Sequence, residues 1–259
     1  MIFFLGNIGL RSRSQGSYEI TPTVKHDLRT VACIIEMTRR KPLPILDKGD
    51  IVTSNSIVVY TDASGHLLDN PSLGIFVPKQ NRSAPLVCSL AFPRFFLLRT
   101  DEAQKKVFCK TTSLECLGYL SALCMDPLRF TGCRVVFMID NQASVIALRK
   151  GYSKGDPWAT TLVRAAKVVA AGIGADISSA WEPRRSSRGS RIADDLTHNL
   201  VKELEDEEIS SFLGSKTRFP EPILGWMACA GPDQGLGLRC LRWIRKMNEN
   251  IVLFKPNDV

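Results

Sequence analysis

The chain has 259 residues, 44% of them hydrophobic, enough for one large or two small packed domains, which excludes a wholly disordered polymer. Its 34 Lys and Arg exceed its 26 Asp and Glu, and the resulting +8 draws acidic partners, nucleic acid first among them, without requiring one. Eight cysteines scattered without a CxxC pair read as buried, reduced thiols, while no apolar run approaches the roughly 20 residues of a membrane helix. The opening MIFFLGNIGL is short, lacks a preceding basic residue and has no small-residue cleavage site, so an intracellular, soluble chain with no membrane partner is expected.

Residues 1–55 read as an irregular basic arm, or the remnant of a preceding domain, punctuated by Pro22, Pro42, Pro44 and Gly49, with a helix-like patch from Lys25 to Arg39. From Ser56 the texture changes. Ile57–Tyr60, Leu73–Val77 and Pro85–Ala91 read as three strands with short connections, hence antiparallel neighbours. A helix over Thr111–Met125, a strand over Arg134–Ile139, a helix over Gln142–Lys150 closed by Gly151 and a helix over Trp158–Ala171 follow. A strand at Asp176–Trp181 and a last helix at Ile192–Ile209 complete a domain at 56–210. The order predicts an α/β fold with one mixed sheet and helices on its faces. Residues 211–259 form a tail of unassigned role with a basic helical piece at Leu241–Met247. Trp158 and Trp181 are expected in the core, His198 and Asn199 on the surface.

Two predicted strands run directly into a carboxylate, VVYTD at Asp62 and VVFMID at Asp140. Side by side and parallel, such strands deliver both acids to one edge of the sheet, where α/β folds place their sites. Glu115 lies in TTSLECLGYLSAL, and its helical neighbours Gly118, Tyr119 and Ala122 make a mostly small face that lets a helix come close to a sheet; the plain alternative is a solvated helix acid. In RIADDLTHN, Asp194 and Asp195 open the last predicted helix, where an acid also serves as an ordinary cap. The IADD pair does not match a polymerase palm hairpin, because a helical run follows it. Carboxylates gathered in one place raise each other's pKa, and a hard divalent cation removes that cost. An all-carboxylate set favours Mg²⁺ or Mn²⁺ over zinc.

The order Asp62, Glu115, Asp140, Asp194, each in this setting, resembles the type I RNase H family, and more narrowly the RNase H domain that follows reverse transcriptase in retrotransposons of the DIRS or a related type. The stretches that carry the resemblance are YTDAS, SLECLGYLSAL, IDNQASVIALRKGYSKG and RIADDLTHN, of which DNQASVIALRKG is the most specific. They span about residues 56 to 205. KPLPILDKGD is similar, more loosely, to the segment joining polymerase to nuclease in such elements. The resemblance implies an RNase H-like five-stranded mixed sheet flanked by helices, and cleavage of the RNA strand of an RNA–DNA hybrid. It implies two Mg²⁺ ions, with Mn²⁺ able to substitute: Asp62 bridging both, Glu115 and Asp140 completing one site and Asp194 the other. A polymerase domain is the implied partner in an intact element.

Two departures stand out. WEPRRSSRGSRIADD contains no histidine where the family usually has a mobile one, and Ser190 occupies a position often held by asparagine. Arg184, Arg185 and Arg188 are therefore candidate phosphate contacts, although a charge run is commonly just a solvated face. Asn141 and Gln142 are candidates for a minor groove bearing 2′-hydroxyls, with helix capping the ordinary role for Asn141. Two functional classes follow: a metal-dependent nuclease, or a catalytically inactive nucleic-acid-binding or scaffold module on the same fold. An integrase or exonuclease suits the acid spacing less well. Oligomeric state has no signature in the sequence.

Overall fold

The computed structural model describes residues 56–65, 71–80, 83–93, 96, 111–213, 218–228, 233 and 235–247, together with residues 28 and 32, both helical. The rest of the 1–55 arm lies outside the described residues, as do Cys33, Cys109 and Cys229. The described cysteines are free thiols: Cys88, Cys116, Cys124 and Cys240 are buried and Cys133 is partly so.

Six strands form a single sheet: β1 (Ser56–Ala63), β2 (Ser72–Val77), β3 (Leu86–Ala91), β4 (Arg134–Ile139), β5 (Asp176–Trp181) and the two-residue β6 (Phe212–Leu213). Their order is β5-β4-β1-β2-β3-β6. β1, β2 and β3 are antiparallel neighbours, while β4 lies parallel to β1 and β5 parallel to β4. This is the expected five-stranded mixed sheet, with β6 added parallel to the outer edge of β3. β2 is buried along its whole length because helices cover both of its faces.

One face is covered by α1 (Thr111–Met125), α3 (Gln142–Lys150) and α4 (Pro157–Ile173), with the short α2 (Pro127–Phe130) linking α1 to β4. Its core runs through Val59, Leu73, Ile75, Leu117, Leu120, Val135, Phe137, Leu162 and Val169. The opposite face receives α5 (Arg188–Thr197), whose Ile192 and Leu196 pack on Phe76 and Val87. Two buried serines of the sheet hold the end of α5: Ser72 donates to the Thr197 carbonyl at 2.6 Å and Ser89 to that of Leu196 at 2.8 Å.

The last predicted helix is divided. It starts earlier than expected, because Ser187 and Ser190 form a reciprocal capping pair at its N-terminus. It stops at Thr197, because Asn199 takes a left-handed φ of 57° and the amides of Asn199 and Leu200 turn back to the carbonyls of Leu196 and Asp195. Asp194 and Asp195 thus occupy the second half of α5, not a first turn. A separate helix, α6 (Asp206–Ser211), follows.

Beyond it, α7 (Glu221–Ala228) and α8 (Leu236–Met247) join the main core. Trp226 meets Trp158 edge to face at 5.2 Å between centroids, and α8 lies along α4. The basic piece expected at Leu241–Met247 is the second half of α8, with Leu241 and Ile244 on its buried side. Trp158 is in the core as expected, whereas Trp181 is 48% exposed, and His198 and Asn199 are exposed.

Candidate active site

Register alone brings the first two acids together. Tyr60 pairs with Met138 across the parallel strands, and each stands two residues before its aspartate, so Asp62 and Asp140 leave adjacent strands at one level. Glu115 reaches them from α1, where it is 1% exposed. Its Oε1 accepts the backbone amide of Ala63 at 3.3 Å, which ties α1 to the strand one residue past Asp62. Its Oε2 is buried with no hydrogen-bond partner among the described residues. Ligand oxygens of Asp62, Glu115 and Asp140 all lie within 4.8 Å of one another.

Three carboxylates at that spacing cannot all ionise cheaply. Burial, then the charges of Asp140 and Asp194, raise the Asp62 carboxyl to about 7. Burial, then Asp62 and Asp140, push Glu115 well above the ordinary carboxylate range, and burial raises Asp140 as well. An all-oxygen donor set, a buried carboxylate oxygen left without a donor and mutual repulsion fit a hard divalent cation. They do not fit a site satisfied by the protein alone.

Asp194 comes to the same cleft from the opposite face of the sheet. The cleft is lined by Thr61, Asp62, Asp140, Glu182, Arg184, Arg185, Ser190 and Asp194, among others. Asp194 is bound differently from the other three acids. Arg184 donates through Nε to Asp194 Oδ1 at 3.0 Å and through Nη2 to the same oxygen, and Arg185 donates to Asp194 Oδ2 and, at 2.8 Å, to Asp195 Oδ1. Burial alone would raise the Asp194 pKa; the two arginines outweigh it and hold the carboxyl below its usual value. Arg185 makes these contacts from a left-handed backbone with φ of 56°, a conformation that non-glycine residues rarely take.

The remaining sequence candidates divide. Asn141 caps α3, accepting the Ser144 amide at 3.0 Å, and Gln142 is exposed next to it. Arg188 turns toward α6: it donates to Glu208 Oε1 at 3.0 Å and to the Glu203 carbonyl at 2.9 Å, with its guanidinium 5.9 Å from the centre of the Phe76 ring. Two site residues escape the sequence reading. Trp181 is not in the core because its indole Nε1 donates to the Asp140 carbonyl at 2.9 Å, which holds the ring at the surface beside the acids. Glu182 lines the cleft directly after β5, a third carboxylate following a parallel strand, and that shared pattern is the signal that could have found it.

Five strands ordered β3-β2-β1-β4-β5 with this mix of directions, flanked by helices, constitute the RNase H-like fold. The acids at the ends of β1 and β4 and on α1 give the domain a group fit for a metal. No family model matches the chain, and no curated protein matches it. Among solved structures, RNase H1 from the halophilic archaeon Halobacterium salinarum NRC-1 is similar over 54% of this chain and 93% of its own, at 16% identity and a TM-score of 0.36. That likeness is too distant to bear on function. Among the described residues, no helix is long and apolar enough to cross a membrane.

Proposed function

We propose that the chain is a metal-dependent endonuclease that cleaves the RNA strand of RNA–DNA hybrids, and that it derives from the RNase H domain of a retroelement polyprotein. The observation that carries the reading is the convergence of Asp62, Glu115 and Asp140, with a buried Glu115 oxygen that has no hydrogen-bond partner among the described residues. Asp62, Glu115 and Asp140 would hold Mg²⁺ or Mn²⁺, and Asp194 stands beside them as the fourth acid. Bound there, such an ion would supply an activated water for in-line attack on phosphorus and charge stabilisation for the departing oxygen. The chain itself supplies position. The Ala63 amide fixes Glu115, and the parallel register fixes Asp62 against Asp140. Arg184, with its side chain 63% exposed at the cleft, is the phosphate contact, and Gln142 is the candidate for the groove beside it. The retroelement origin, and a polymerase domain as partner, rest on the resemblance of DNQASVIALRKG and RIADDLTHN.

A second reading, an inactive hybrid-binding module, is favoured by one observation: Asp194 is already engaged by two guanidinium groups. A labelled hybrid incubated with the protein and Mg²⁺, then Mn²⁺, separates the two. Cleavage lost in Asp140→Asn supports the nuclease. A hybrid bound yet equally intact with wild type and Asp140→Asn in both metals leaves the binding module.

A further inference from the structure

Asp62, Glu115 and Asp140 repel one another and leave a buried oxygen open, whereas every oxygen of Asp194 is taken. The difference has a structural origin. The β5–α5 connection places Arg184 and Arg185 directly over α5, and Arg185 holds a left-handed backbone while its guanidinium spans Asp194 and Asp195. The Asp194 side chain is only 8% exposed, so a cation arriving there must displace charge-assisted hydrogen bonds instead of water. Asp194 also lies outside the set of acids whose oxygens approach within 4.8 Å.

We infer that Arg184 and Arg185 are a resident counter-cation for Asp194, so that the free protein takes one divalent ion on Asp62, Glu115 and Asp140 and admits a second only by displacing the guanidinium groups. The inference rests on the metal-dependent reading above and deepens it. Displacement has a chemical consequence: an Arg184 released from Asp194 is free to meet a phosphate oxygen at the same cleft. Arg184 and Arg185 are therefore positioning residues that couple entry of the second ion to the arrival of the substrate's negative charge.

The test counts ions without nucleic acid. Mn²⁺ is titrated into the full chain and free Mn²⁺ is read by electron paramagnetic resonance, for wild type, Arg184→Ala/Arg185→Ala, Arg184→Lys and Asp62→Asn, with folding checked by circular dichroism. Wild type is expected to bind one ion, with a second at least about tenfold weaker, and the double variant to tighten that second ion by about tenfold. Arg184→Lys keeps the charge but loses the planar fork and is expected to tighten it by about threefold, an outcome that stands in if the double variant does not fold. The inference is overturned if wild type binds two ions with equal affinity, or if neither arginine variant changes the second. Failure of wild type to bind any ion, or an Asp62→Asn variant that binds as well as wild type, overturns the nuclease reading and this inference together.

Discussion

Gly118 meets Thr61 at a separation that leaves no room for a side chain. A Cβ built on Gly118 would stand 2.8 Å from both Cβ and Oγ1 of Thr61. The backbone of α1 therefore rests directly on the Thr61 side chain of β1 at the turn after Glu115, and this close approach lets a glutamate reach the strand end and accept the Ala63 amide. Gly118→Val must push the helix off the strand. Overpacking of this kind costs about 1–3 kcal/mol, so we expect lower stability in urea unfolding together with at least about tenfold weaker Mn²⁺ binding, because Glu115 moves with the helix. Unchanged metal affinity would show that Glu115 is not held by this approach.

Asp140→Asn should separate stability from function. Asp140 raises the pKa of both Asp62 and Glu115, so its charge is a cost to the metal-free protein. Removing it is expected to raise the metal-free melting temperature by about 2–4 °C while abolishing hybrid cleavage. Calorimetry in chelator and the cleavage assay give the two readouts. A variant less stable than wild type would place Asp140 in a structural role.

Much of this arrangement is visible in the residues because the determining forces are local. Arg134–Ile139 and Asp176–Trp181 are runs bounded by turn residues, and Gly151 closes α3 with φ of 79°, so these bounds coincide with expectation. The level of Asp62 with Asp140 follows once β1 and β4 are parallel, which single-strand patterns do not specify. The ends of α5 depend on a serine capping pair and on an asparagine in a left-handed turn; both are short polar signals that an apolar periodicity running through Ile209 obscures. The exposure of Trp181 and the engagement of Asp194 by arginines depend on hydrogen bonds between segments about 10 to 41 residues apart, and hydrophobic periodicity is blind to those.

Arg188 is expected to act on folding, not on binding. Its partner Glu208 has a side chain only 8% exposed; burial would raise its pKa, yet the hydrogen bonds from Arg188 hold it below the usual value. Arg188→Ala leaves that carboxylate with the Glu205 amide but no facing cation, and removes a cation from the Phe76 ring. Because Arg188 is itself partly solvated, the loss is about 1–2 kcal/mol, below the range for fully buried pairs. Hybrid affinity and its salt dependence should stay near wild type for Arg188→Ala and weaken for Arg184→Ala. A salt slope that flattens in Arg188→Ala would return that residue to the nucleic-acid interface.

Acidity should govern both stability and metal uptake through Asp62. Its carboxyl is raised from 3.8 to about 7, first by burial and then by Asp140 and Asp194, so between those values the folded protein holds a proton that the unfolded chain has lost. Stability therefore falls as pH rises across this window, the reverse of a salt-bridged aspartate, whose stabilising effect is lost on acidification. In chelator, the melting temperature is expected to drop by at least about 3 °C from pH 5 to pH 8. Saturating Mn²⁺ should abolish or invert that slope, because the ion binds the ionised acids and competes with the proton. Mn²⁺ affinity should accordingly rise with pH across this window, and Asp62→Asn should lessen the pH dependence of metal-free stability, with the raised Glu115 and Asp140 carboxyls keeping the remainder. A metal-free protein that becomes more stable between pH 5 and pH 8 would mean that Asp62 is not crowded by its neighbours, and the three acids could then not form the site described.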